Sequence, residues 1–192
     1  MVMHTVQSMS ATGVVVAAAS GTLAVMFTVS GVSKVRRPFD SALAMVRFGV
    51  LRRIRPAAGR ALGGVELLLA VALVATANPF VATLAAAGLL AVFTALVARA
   101  LANGRSFDCA CFGAGERISW ATVGRNTAFI ALAALVAVAT APSSGFVPAG
   151  LSERALGVLT GALVMCAFTL LSTLVTLKPF AVRIETAGDV DG

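Results

Sequence analysis

Long apolar runs with few charges, separated by short polar segments, set the organisation of this chain. The runs cover residues 13–32, 57–77, 80–102, 120–140 and 151–177. Each exceeds the roughly 18 residues that mark a membrane-spanning helix. The pattern predicts an all-α, polytopic transmembrane bundle of about five spans, forming one domain over residues 1–192.

The polar breaks differ from one another. Residues 34–60 hold eight basic side chains, Lys34, Arg36, Arg37, Arg47, Arg52, Arg53, Arg55 and Arg60. Interleaved with them are Phe39, Leu43, Val46, Phe48, Val50, Leu51 and Ile54. Pro38 suits a helix start, and Pro56 is read as the stop. The segment is therefore expected to be an amphipathic helix on the membrane surface, its arginines reaching lipid phosphates; a plain connector is the alternative. Asn78-Pro79 makes a tight turn between the second and third runs. Residues 103–119 form a loop, and residues 142–150 an uncharged Ser/Gly/Pro turn. Lys178-Pro179 stops the fifth run, and residues 180–192 read as a disordered polar tail. Residues 1–12 carry His4 but no Lys or Arg and read as a short tail. A signal peptide has basic residues before its apolar run, whereas here they follow it.

Composition agrees. The chain is 59% apolar and 12% charged, with a mean hydropathy of +0.96. The net charge of +7 reflects loop asymmetry and attraction to anionic lipid; no nucleic-acid partner is implied. Fourteen of the fifteen Lys and Arg residues fall on one side of the five-span arrangement, and Arg154 alone on the other. The positive-inside rule then puts the N-terminus outside a cell membrane, with the C-terminus and residues 103–119 in the cytoplasm. Trp120, the single tryptophan, stands where an interfacial anchor belongs.

Candidate chemistry concentrates in Arg105-Ser106-Phe107-Asp108-Cys109-Ala110-Cys111-Phe112-Gly113. Two cysteines one residue apart can be a dithiol, a small-ring disulfide or half of a metal site. A disulfide needs its Cα atoms about 4.4–6.8 Å apart, which i and i+2 reach only in a bent backbone, and such a bond is readily reduced. Arg105 and Arg117 favour thiolate, while Asp108 opposes it. Two thiolates could hold copper(I) or supply half a zinc site, but no His or further Cys nearby completes one; no metal site is assigned. A turn of two small residues is the plain alternative.

Within the spans, Glu66 is the acid that needs explaining. A carboxyl in a membrane helix costs about 2.5–3.5 kcal/mol on insertion scales, so it should face the bundle and find a partner. Lys34 or Arg125, which approach from the same side, are the candidates, with Asn126 next to Arg125. A structural ion pair between helices and a proton or substrate role are both open. Cys166, in the fifth run, reads as a small buried residue. Gly157-x-x-x-Gly161 is a plausible close-packing face, with Gly63, Gly64 and Gly88 as further material. Gly113-Ala114-Gly115 follows no strand and reads as a turn rather than a phosphate loop.

Several of these residues together carry a resemblance. Val29-Ser30-Gly31-Val32-Ser33-Lys34, Glu66, Arg105-x-x-Asp108-Cys109-x-Cys111-Phe112-Gly113 and Arg125-Asn126 resemble the methylamine utilisation protein E (MauE) family, grouped with DoxX-like redox-associated membrane proteins. The likeness spans about residues 14–140. That family usually has Gly between the cysteines, where this chain has Ala110. If that position required positive φ, Ala would be strained there, and the small-ring disulfide would be less comfortable.

The resemblance implies a part in maturing the small subunit of methylamine dehydrogenase, a periplasmic protein dense in disulfides, alongside a thioredoxin-fold membrane-associated partner. Cys109 and Cys111 would be the reacting thiols, making the chain a candidate component of a thiol–disulfide oxidoreductase. No motif specifies a cofactor, and a quinone stands as the candidate. Two other classes remain: a metal-handling factor using the same thiols, and a solute or proton carrier centred on Glu66.

Overall fold

A computed structural model of the protein describes residues 11–109, 116–145, 150–167 and 170. Among them are six helices: α1 (Ala11–Arg36), α2 (Pro38–Arg47), α3 (Pro56–Ala75), α4 (Phe80–Ala102), α5 (Trp120–Ala139) and α6 (151–167). Two-residue strands, β1 (Asp108–Cys109) and β2 (Glu116–Arg117), pair antiparallel between α4 and α5. Helices α1, α3, α4 and α5 are long and apolar enough to cross a membrane, in keeping with the polytopic all-α reading. The expected fifth span is described as helix up to residue 167; its end, the N-terminal tail with His4, and the tail 180–192 lie outside the described residues.

Helix α1 is the hub. Its most apolar stretch is 61% buried, against 22–28% for the other three spans. It packs against α2, α3 and α5. The main core joins Leu23, Met26 and Phe27 of α1 to Ala70 and Leu73 of α3, Ala86 and Leu90 of α4, Ala133 of α5 and Met165 of α6. Outward-facing Leu68, Val71, Val81, Leu135 and Leu163 are exposed, as side chains that meet lipid tails should be.

Two glycine contacts bring α1 within backbone distance of its neighbours. A Cβ on Gly31 would lie 2.8 Å from the Gly63 carbonyl oxygen, and one on Gly63 equally 2.8 Å from that of Gly31. On the other side, a Cβ on Gly157 would run into the Ala17 carbonyl, and one on Gly161 would sit 2.6 Å from the backbone of Gly21. The Gly157-x-x-x-Gly161 face of α6 is thus its contact with α1. Small residues at such crossings trade side-chain volume for close van der Waals contact, which drives helix association where no hydrophobic effect operates.

The basic connector departs from expectation. Its helix stops at Arg47, and residues 48–55 are irregular. Gly49 is the reason. At φ +79° it terminates α2, with Val50 N–H donating to the Met45 carbonyl and Gly49 N–H to that of Val46, the paired bonds of a Schellman cap. Pro56 opens α3 at its first turn, where its missing N–H costs nothing. α2 is also docked: Ser41, Ala42 and Ala44 are buried, and Gly59 of α3 approaches the Pro38 carbonyl so closely that a Cβ there would sit 2.5 Å from it.

At the opposite end, the expected Asn78-Pro79 turn forms. Asn78 Oδ1 accepts from Phe80 N–H at 2.9 Å, and its Nδ2 donates to the Thr140 carbonyl at 3.1 Å, fastening this turn to the end of α5. Arg154 of α6 donates to the Val74 and Ala75 carbonyls and so covers the last turn of α3.

Candidate functional site

The polar residues flagged in the spans come together beside the Gly31–Gly63 crossing. Lys34 Nζ lies 2.9 Å from Glu66 Oε2 and donates also to Ser30 Oγ at 2.6 Å. Both partners of the ion pair are buried, their side chains 7% and 9% exposed. The geometry follows from helix direction. Side chains lean toward their own helix N-terminus, and α1 and α3 run antiparallel. Lys34 therefore reaches back over Ser30, deeper into the bundle, while Glu66 leans toward the end where Lys34 starts. Glu66 is ten residues into α3, about 15 Å along at 1.5 Å per residue. Of the two basic candidates, Lys34 is the partner; Arg125 sits half-buried on α5. Asn126, 2% exposed, faces the cluster across a cavity of about 50 Å³ that Ser30, Lys34, Glu66 and Asn126 all line.

A buried ion pair is weak evidence of net stability, because desolvation of two charges offsets their attraction. Removing one partner is a different matter: it leaves a buried charge uncompensated, at about 3–5 kcal/mol. The pair therefore locks α1 to α3 whatever else it does.

The cysteine segment begins where α4 ends. Gly104, at φ +67°, closes a second Schellman cap, with Arg105 N–H donating to the Ala100 carbonyl at 3.0 Å and Gly104 N–H to that of Leu101 at 2.9 Å. The chain then enters the short ladder, Asp108 opposite Arg117 and Cys109 opposite Glu116, extended by the bond from Ile118 N–H to the Phe107 carbonyl. Ser119 caps α5 by accepting from Thr122 N–H. The backbone of Cys109 is thus in the stem of a hairpin. Cys111, Ala110 and the Gly113-Ala114-Gly115 turn lie outside the described residues.

Arg117 stands opposite Asp108, and Glu116 is the residue across from Cys109. Arg105 and Arg117 are both exposed. What anchors the hairpin is aromatic and was not singled out in the sequence. Phe107 packs edge-on against Phe48 at 4.9 Å between centroids, Phe48 in turn against Phe93 at 5.8 Å, and the Arg47 guanidinium lies 5.7 Å from the Phe107 ring. Buried Val97, Ala100 and Ile118 complete this second core. The signal was available: Phe107 is one of three large apolar residues, with Phe112 and Ile118, in a polar loop. Cys166 also differs from expectation. Gly157, Gly161 and Met165 share the buried face of α6, and Cys166, one residue further round, is exposed. Trp120 is 64% exposed at the start of α5.

Comparison with known proteins decides the family. The model of the family described as methylamine utilisation protein MauE matches residues 12–140. The chain belongs to the MauE family. It is 36% identical over 175 residues to the methylamine utilization protein MauE of Paracoccus denitrificans, an alignment covering 86% of this chain and 89% of that protein. No solved structure matches it. The family match takes in both the Lys34–Glu66 pair and the cysteine hairpin, and it ends where α5 ends, so α6 lies beyond it. With its four apolar helices, this MauE-family chain is a multi-pass membrane protein.

Proposed function

We propose that this chain is a membrane thiol–disulfide component that matures an exported protein, with Cys109 and Cys111 as the exchanging pair. Methylamine dehydrogenase is the client we infer, by analogy with the methylamine utilization protein it is similar to. The observation that carries the reading is that Cys109, the first cysteine of the Cys-x-Cys pair, lies in a short ladder next to Phe107, whose ring fixes this segment to the bundle. A rigid stem presents a thiol to a second protein, and exchange proceeds by thiolate attack through a mixed disulfide. A thioredoxin-fold, membrane-associated protein is the partner of matching chemistry. Arg105 assists by favouring thiolate; Arg117 does so from the next ladder position, against Asp108 and Glu116.

The proposed setting is the cell membrane, with the N-terminus outside and the hairpin at the cytoplasmic face. The fourteen-to-one division of basic residues supports this. Reporter fusions at Asn78 and Gly145 are expected to report an outside location; an inside signal at either moves the thiols to the outer face.

The functional test is complementation of a methylamine-growing bacterium that lacks its own MauE. Wild-type chain should restore assembled methylamine dehydrogenase, and the Cys109→Ser/Cys111→Ser chain should not, at equal membrane abundance. Restoration by both removes the thiol role. Restoration by neither counts against methylamine dehydrogenase as client.

One observation favours a second reading. Lys34 and Glu66 are paired charges inside the bundle, a feature of carriers as well as of structural locks. The Lys34→Met/Glu66→Met chain separates the two, since a lock is replaceable by apolar packing and a carrier site is not.

A further inference from the structure

We infer that the region between α2, α3 and α4 is a binding site for a neutral, ring-bearing lipid with carbonyl oxygens on the ring, that is, a molecule of the quinone class. Two adjoining cavities carry it. The larger, about 170 Å³, is walled by Ala44, Met45, Phe48, Leu89, Phe93 and Leu96 among others. A dry apolar cavity of about 150 Å³ suffices for a benzene-sized ring, so the size suits a six-membered carbocycle. The smaller, about 50 Å³, lies deeper and holds the polar groups; Lys34 lines both.

The polar end specifies the head group. Asn126 is 2% exposed, lines the smaller cavity, and its Nδ2 has no hydrogen-bond partner among the described residues. Buried amides left without a partner are rare and costly, which makes each a pointer to a missing acceptor. Lys34 adds to this: an ammonium has three N–H groups, and two are given to Ser30 and Glu66. The site thus offers donors. Its net charge is already cancelled by the Lys34–Glu66 pair, and the Glu66 carboxylate opposes an anionic head. A neutral oxygen acceptor meets both conditions, and a carboxylate or phosphate head does not.

Access is from the lipid side. Val92 of α4, at the edge of the larger cavity, is 62% exposed on a span whose outer surface is apolar, so a ligand dissolved in the bilayer can enter beside α4. Phe48 forms one wall and also holds Phe107 of the cysteine hairpin. The site stands on the cavities and the uncommitted donors, and it is independent of the thiol reading.

The test uses the full chain in lipid nanodiscs and three probes: decyl-ubiquinone, decylbenzene, which keeps ring and tail without oxygens, and decanoate, which keeps the tail with an anionic head. Saturable binding of one decyl-quinone per chain is expected, at least about tenfold tighter than either control, the discrimination that one buried hydrogen bond of ordinary strength supplies. Asn126→Leu should remove most of that preference while leaving decylbenzene binding unchanged. Leu96→Trp, which fills the ring cavity from a partly exposed position, should abolish binding of both ring probes, with helical content and melting temperature confirming that each variant is folded. Equal affinity for decylbenzene would mean a groove for acyl chains only, and tighter decanoate binding an anion site; either result overturns the inference. So does the absence of saturable decyl-quinone binding, or a preference that persists in folded Asn126→Leu.

Discussion

The Lys34–Glu66 pair and the Cys109 hairpin lie toward the same end of the bundle, but they are held by opposite means. The pair sits behind a backbone-to-backbone crossing of α1 and α3, with two charges and a serine hydroxyl satisfied within the protein. The hairpin is held by a two-residue ladder and by the ring of Phe107. The difference follows from the surroundings. In a bundle surrounded by lipid there is no water to stand in for a lost partner, so a charge there must be paired within the protein. A thiol pair that exchanges with another protein needs the reverse: a firm stem and a head that a partner can reach.

Disturbing the buried side should have the largest effect. Gly31→Val or Gly63→Val places side-chain atoms where the opposing carbonyl already is, and the helices must part. The expected result is loss of folded protein from the membrane, measured by abundance and by melting of the purified chain. Gly64→Ala, where a Cβ meets nothing within 4 Å, should be neutral and serves as the control.

Next comes the pair itself. Lys34→Met is expected to cost about 3–5 kcal/mol by leaving Glu66 charged and alone, whereas Lys34→Met/Glu66→Met should recover most of it, since apolar replacement of a buried pair is often neutral. Thermal unfolding of the three chains checks this. If the double variant folds but the maturation assay stays dead, the pair has a role beyond joining two helices.

On the hairpin side the effect on folding should be smaller. Phe107→Ala removes an aromatic contact worth about 0.5–1.5 kcal/mol beyond its buried area. It should leave abundance near normal while lowering activity several-fold, by freeing the stem. Smallest of all is Arg105→Ala, expected only to slow alkylation of the hairpin thiols at neutral pH by reducing thiolate; unchanged alkylation would remove Arg105 from the site.

Much of the architecture is legible in the sequence where local chemistry alone decides it. The third run has the bounds of α4, Phe80–Ala102, because Asn78-Pro79 and Asn103-Gly104 punctuate it on both sides. The second and fourth runs fall within two residues of α3 and α5 for similar reasons. Glu66 announces a partner, because a lone carboxyl among leucines has no other way to be tolerated. What the sequence hides is relational. Apolarity does not mark the central helix, since α4 is more apolar than α1 and yet the least buried of the four spans. Whether Lys34 or Arg125 meets Glu66 depends on which helices are neighbours. Gly63, Gly64 and Gly88 look alike on paper, yet among them only Gly63 meets another helix's backbone. The end of α2 is a local feature that was legible and misread: Gly49, two residues past Arg47, is a helix stop, and Pro56 a helix start.

The central claim, that Cys109 and Cys111 exchange with a partner thiol, is tested most directly by trapping. Cys109→Ser and Cys111→Ser chains are expressed separately in the native membrane, quenched with an alkylating agent and run on a non-reducing gel. One of the two should accumulate a covalent complex that reductant dissolves, because the remaining thiol attacks the partner and no second thiol is left to resolve the bond. The wild-type and doubly substituted chains should show none. If neither single variant forms such a complex, and the double variant still supports full maturation, the hairpin is a connector and the thiol account is wrong.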